Sequence, residues 1–129
     1  EMLLKHLISG YYDHPSPDLL TALYESIVNA NDRIHALAQM IPERNGMGAT
    51  LTATVFCEDR VIVAQVGDSR AYCLRNGTLF QITQDHSWVE EQVRAGVMSR
   101  EDAESSPFKN VITRSVGASP TVNPDFYEE

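Results

Sequence analysis

Cysteine is scarce: Cys57 and Cys73 are the only two in 129 residues, and they form no C-x-x-C pair. A disulfide framework or a thiolate metal site needs more, so both read as small core thiols in a reducing compartment. The histidines, His6, His14, His35 and His86, are scattered without ligand spacing, which argues against a histidine zinc site. Basic charge is also short. Ten Lys and Arg stand against 18 Asp and Glu, a net charge of -8. A field of that sign repels phosphate backbones and anionic headgroups, so nucleic acid and membrane surfaces are not expected partners. No apolar run approaches the ~18–20 residues that span a bilayer. The opening EMLLKHLISG lacks the basic region and cleavage site of a signal peptide, and a cytoplasmic location is expected. Position 1 is not Met and the final DFYEE has no tail, so both ends are expected to be cuts through a longer chain.

Hydrophobic residues make up 43% of the chain and charged ones 22%, enough to build the core of one domain or part of one. Glu1–Ile8 carries a helical apolar face, with Gly10 placed to end it. Two prolines make Tyr11–Pro17 a loop. From Asp18, a natural N-cap, Leu20, Leu23, Ile27, Ile34, Leu37 and Ile41 recur at helical spacings, which predicts a long amphipathic helix to about Met40. At Gly46 the period changes. Ala49–Cys57, Val61–Val66, Arg70–Arg75 and Thr78–Ile82 read as four strands joined by short turns, an antiparallel meander. Val61–Val66 is almost wholly apolar, as in a strand covered on both faces. Asn76-Gly77 is a hairpin signal. Ser87 with Glu90, and Ser99 with Asp102, open two short helices, closed by Gly96 and Pro107. Trp88 and Phe108 are expected to pin these helices to the body, and Val111–Val116 to form a further strand.

Among residues able to do chemistry, Asp68 stands out. An apolar strand delivers its carboxylate to a glycine turn, Val66-Gly67-Asp68-Ser69-Arg70, as a hard oxygen ligand of the kind Mg²⁺ or Mn²⁺ takes. The plainer alternative is a turn-capping aspartate. Asp85-His86 pairs an acid with an imidazole, but neighbours on extended chain point opposite ways and cannot face one substrate. Gly46-Met47-Gly48 leads into a strand and lacks a P-loop lysine, so it reads as a close backbone approach rather than a nucleotide site. An arginine near a metal could hold a phosphorylated substrate. Arg100 and Lys109 read as solvated surface.

In order and spacing, Gly46-Met47-Gly48-Ala49-Thr50-Leu51-Thr52-Ala53, Val66-Gly67-Asp68-Ser69-Arg70-Ala71-Tyr72, Arg75-Asn76-Gly77-Thr78-Leu79 and Gln81-Ile82-Thr83-Gln84-Asp85-His86-Ser87 closely resemble bacterial metal-dependent Ser/Thr phosphatases of the type-2C (PPM) family. Val89–Gly96, Arg100–Ala103 and Ile112–Gly117 continue the likeness, which covers essentially the whole chain. The resemblance implies an α+β fold, an α-β-β-α sandwich of two antiparallel sheets flanked by helices, with residues 1–129 as the central part of one domain. It implies hydrolysis of phosphoserine and phosphothreonine by water activated on two Mn²⁺ or Mg²⁺ ions, on phosphorylated protein substrates made by a cognate Ser/Thr kinase. Asp68 matches the family's ligand to a third, weaker ion, and residues 85–111 match its mobile flap. Arg114, near the return from the flap, is assigned no catalytic role. The family's Asp-Gly-Met-Gly-Gly motif would precede residue 1 and its Asp-Gly and Asp-Asn motifs would follow residue 129, so the chain alone is expected to be inactive. The alternative is a non-catalytic regulatory or binding module of the same fold.

Overall fold

The computed structural model describes residues 1–129. Helix α1 (Met2–Tyr12) and helix α2 (Leu19–Met40) form an antiparallel pair. Asp18 caps α2, accepting from the Thr21 backbone N–H at 2.9 Å, as its position before the apolar periodicity foretold. Gly10 does not end α1, which continues to Tyr12. It lies against α2 instead, where an added Cβ would stand 3.3 Å from the Ser26 hydroxyl. Glycine serves helix contact here, and the helix stops at Asp13 without help from it.

Strands β1 (Leu51–Cys57), β2 (Arg60–Val66) and β5 (Asp125–Glu128) form one antiparallel sheet in the order β1-β2-β5. Strands β3 (Tyr72–Arg75) and β4 (Thr78–Gln81) form a separate hairpin through Asn76-Gly77. The four central strands are therefore not one meander. The free edge of β2 is taken by β5, with Gln65 opposite Asp125, and the chain leaves the first sheet at Gly67 for the second. Val111–Val116 also differs from expectation. It makes isolated bridges, Ile112 to Ser87 and Val116 to Ala49, because its hydrogen bonds are shared between two segments rather than one partner strand.

Alternation along β2 explains the layers. Ile62, Ala64 and Val66 join Leu7, Leu23, Ile27, Ile34, Leu51 and Val116 in a core between the first sheet and the helix pair. Val63 and Gln65, also buried, face the other way, toward the hairpin. Helices, first sheet and second sheet thus stack in order, the expected α-β-β part of a sandwich. Leu74 and Leu79, paired on the outer face of the hairpin, are covered by no helix of this chain.

The two short helices form as their caps predict: α3 (Trp88–Arg94) behind Ser87 and α4 (Arg100–Ser105) behind Ser99. Trp88 and Phe108 meet edge to face with centroids 5.5 Å apart, so they pin the segment to itself more than to the body. At Gly48 a Cβ would come 2.6 Å from the Ser115 hydroxyl, the close approach expected of that loop. No helix is long and apolar enough to cross a membrane.

Candidate functional site

The turn after β2 is held by close packing and by several hydrogen bonds. Gly67 adopts φ +104°, and a Cβ there would fall 2.4 Å from the Thr50 methyl carbon. Only glycine fits both conditions. Its carbonyl accepts from the His86 backbone N–H at 2.9 Å and from the Gln65 side-chain amide at 2.9 Å. Its N–H donates to His86 Nδ1 at 3.0 Å. The Gln65 amide also donates to the Ser69 carbonyl, while its oxygen accepts from the Thr52 hydroxyl at 2.6 Å. Ser69 and Thr50 hydroxyls meet at 2.7 Å.

Asp68 emerges from this frame half-buried and enters none of the chain's ion pairs. The carboxylates beside and bonded to His86, Asp85 and Asp125, are both paired. The buried Asp85 carboxylate accepts two bonds from Arg70, at 2.8 and 2.7 Å, and this pairing pushes the guanidinium pKa above its already high ordinary value. Asp125 accepts from His86 Nε2 at 2.9 Å and from Arg114 at 3.0 Å. Burial by itself would raise the Asp125 carboxyl, but those two bonds and the Arg114 charge hold it below its usual value.

Asp85 and His86 do point opposite ways, as their adjacency on extended chain requires. Asp85 turns outward to Arg70, whereas His86 is fully buried beneath the turn. Because Nδ1 accepts the Gly67 N–H, the hydrogen-bond network assigns the ring proton to Nε2, where it faces Asp125. His86 is therefore a fixed neutral donor–acceptor rather than a proton shuttle open to solvent. Arg114, which also binds the Asn123 carbonyl at 3.0 Å, is equally occupied. Arg100 is less free than a solvated surface residue. It grips Glu90 at 2.5 and 3.1 Å, tying α4 to α3, and these bonds lower the Glu90 carboxyl pKa. Between this segment and Arg70 lies a polar cleft of about 760 Å³ that includes Asp85, Glu90, Arg100 and Lys109.

Gln65 and Asp125 were not singled out in the sequence. Gln65 had a signal, the one polar residue inside VIVAQV. Asp125 had none, since its partner His86 lies 39 residues away.

The chain gathers no group of three or more His, Cys, Asp or Glu able to hold a metal ion. Asp68 suits one position around a divalent cation, being unpaired, partly solvated and rigidly mounted, but a two-ion centre does not fit on these residues alone.

The family model "Protein phosphatase 2C" matches residues 4–94. The serine/threonine phosphatase stp of Listeria welshimeri is 41% identical over 110 residues, covering 85% of this chain and 44% of that protein. The crystal structure of serine/threonine phosphatase Stp1 from Staphylococcus aureus superposes with a TM-score of 0.89 at 32% identity, over 99% of this chain and 52% of that one. The catalytic domain of the serine threonine protein phosphatase PstP, solved in complex with two manganese ions, gives a TM-score of 0.81 at 34% identity, over 99% of this chain and 53% of that one. The chain thus spans less than half the length of the Listeria relative and about half of each structural neighbour. Taken with the matching layers and the β2 turn, these likenesses are decisive: the chain belongs to the protein phosphatase 2C family.

Proposed function

We propose that residues 1–129 form the central part of a single protein phosphatase domain that hydrolyses phosphoserine and phosphothreonine in proteins. The observation that carries this reading is the agreement of nearly every residue with phosphatase folds, at a TM-score of 0.89 and 32% identity for Stp1. The hydrolytic centre takes Mn²⁺ or Mg²⁺, which activate water and offset phosphoryl charge. The two manganese ions of the PstP structure support this choice. Asp68 contributes one ligand to a third, more weakly held ion, and residues 85–111 act as a flap beside the centre. Arg70–Asp85 ties the start of this segment to the β2 turn, Arg100–Glu90 ties α4 to α3, and all four residues line the polar cleft beside it. The substrates are phosphorylated by a cognate Ser/Thr kinase, and the enzyme works in the cytoplasm, in keeping with two unpaired cysteines.

Asp68→Asn in the complete reading frame tests the reading. Hydrolysis of a phosphothreonine peptide should fall by about tenfold or more, with the thermal midpoint unchanged. An unchanged rate and unchanged manganese dependence would remove Asp68 from the metal site. Absence of hydrolysis by the complete wild-type chain at any manganese concentration would favour the non-catalytic module.

A further inference from the structure

We infer that His86 is a positioning residue for Asp68, acting through the Gly67 peptide: its unprotonated Nδ1, fixed by Nε2–H donation to Asp125, sets the direction in which Asp68 leaves β2. This rests on the reading of Asp68 as a metal ligand.

Gly67 is the residue whose dihedrals decide where the Asp68 carboxylate stands. Glycine at φ +104° has no side chain to hold it there, and a free glycine turn samples many orientations. His86 bonds both of its peptide groups, sharing the carbonyl with the Gln65 side-chain amide at 2.9 Å. His86 takes the carbonyl with its backbone N–H at 2.9 Å and the N–H with its ring at 3.0 Å. The ring is wholly buried, and each nitrogen has one partner, so it cannot rotate without losing both. Asp125 makes the choice of tautomer. Its carboxylate, held also by Arg114, accepts only a donor, which leaves Nδ1 bare for Gly67. The other tautomer would set two N–H groups face to face at the turn and two acceptors face to face at Asp125. The chain Arg114–Asp125–His86–Gly67 thus ends one residue short of the ligand. Outer residues that orient metal ligands commonly act this way, although here the last link is a backbone amide.

A buried histidine that merely fills space predicts none of this, and two substitutions separate the cases. An asparagine oxygen stands roughly where Nδ1 does, whereas a glutamine amide stands roughly where Nε2 does. The experiment uses the complete reading frame as wild type, His86→Asn, His86→Gln and Asp68→Asn. Three readouts are taken on metal-free protein: ring ¹⁵N shifts of His86, exchange of the Gly67 amide, and calorimetric affinity for the weakest-bound Mn²⁺. The wild-type ring should be the Nε2–H tautomer. His86→Asn should keep Gly67 protected and Mn²⁺ affinity within about threefold, while His86→Gln frees the amide and weakens Mn²⁺ by about tenfold or more. An Nδ1–H tautomer in the wild type overturns the inference without any variant, even if both substitutions unfold the protein. Equal Mn²⁺ affinity in His86→Asn and His86→Gln also overturns it, as does a weaker His86→Asn. The underlying reading fails separately: if Asp68→Asn binds Mn²⁺ as tightly as wild type, Asp68 is not the ligand, whatever His86 does to Gly67.

Discussion

At Gly67 a methyl group would meet the Thr50 side chain 2.4 Å away on a backbone already at φ +104°. Gly67→Ala should therefore lower stability by about 2 kcal/mol or more in urea denaturation, from strain and overpacking together. Asp68→Asn, one residue on, should leave the midpoint where it is. Asp125 and Glu90 have carboxyl pKa values below their ordinary ones in the folded chain. Their contribution to stability is complete above the unfolded-state values, about 4, and is lost as pH falls through the lower folded values. Denaturation curves should thus shift to lower urea on acidification below pH ~4. Asp125→Asn should be less stable near neutrality but lose less on acidification, and an unaltered acid slope would contradict its role. An apolar run ending in Gly-Asp is a local pattern, so Asp68 stands out as a candidate from the sequence alone. The sequence could not show that Asp125 and His86 meet, because nothing local links them.

Helix α2 reaches beyond its apolar stripe through Asn31, which is wholly buried. Its oxygen accepts from the Gly117 N–H at 2.7 Å and its amide donates to the Ser119 carbonyl at 3.1 Å, tying the loop before β5 to the helix. Asn31→Ala should cost about 3 kcal/mol, since it strands two backbone groups, against less than ~0.5 kcal/mol for the exposed Asn29→Ala. The helices and caps were legible because periodicity and capping are properties of neighbouring residues. Strand pairing was not. The run Arg70–Arg75 follows β2 so closely that its sequence predicts a meander, yet the Gly67 turn redirects the chain to a second sheet and leaves β2 to β5. The four residues of β5 follow Pro124 and are too short to declare themselves. Val111–Val116 had the composition of a strand but, lacking a continuous partner, made single bridges.

Across the whole molecule, one layer of the sandwich is missing from this chain's own surface. Leu74, Leu79 and Phe56 are 71%, 64% and 80% exposed, on the outer face of the hairpin and beside β2. Isolated, the 129-residue chain should self-associate through such faces, and Leu74→Lys with Leu79→Lys should restore a monomer in sedimentation velocity. The fold and family were readable from ordered motifs along the chain. Of the proposed metal centre the sequence offers one candidate, Asp68, and the chain gathers no group of three or more His, Cys, Asp or Glu able to hold a metal ion. A side-by-side assay decides whether these residues, as proposed, are part of a phosphatase and hold too few ligands to act alone. The folded 129-residue chain and the complete reading frame are each titrated with Mn²⁺ against p-nitrophenyl phosphate. Metal-dependent turnover is expected from the complete protein and none from the chain alone. Manganese-dependent turnover by the chain alone, or none by the complete protein, would contradict the proposal.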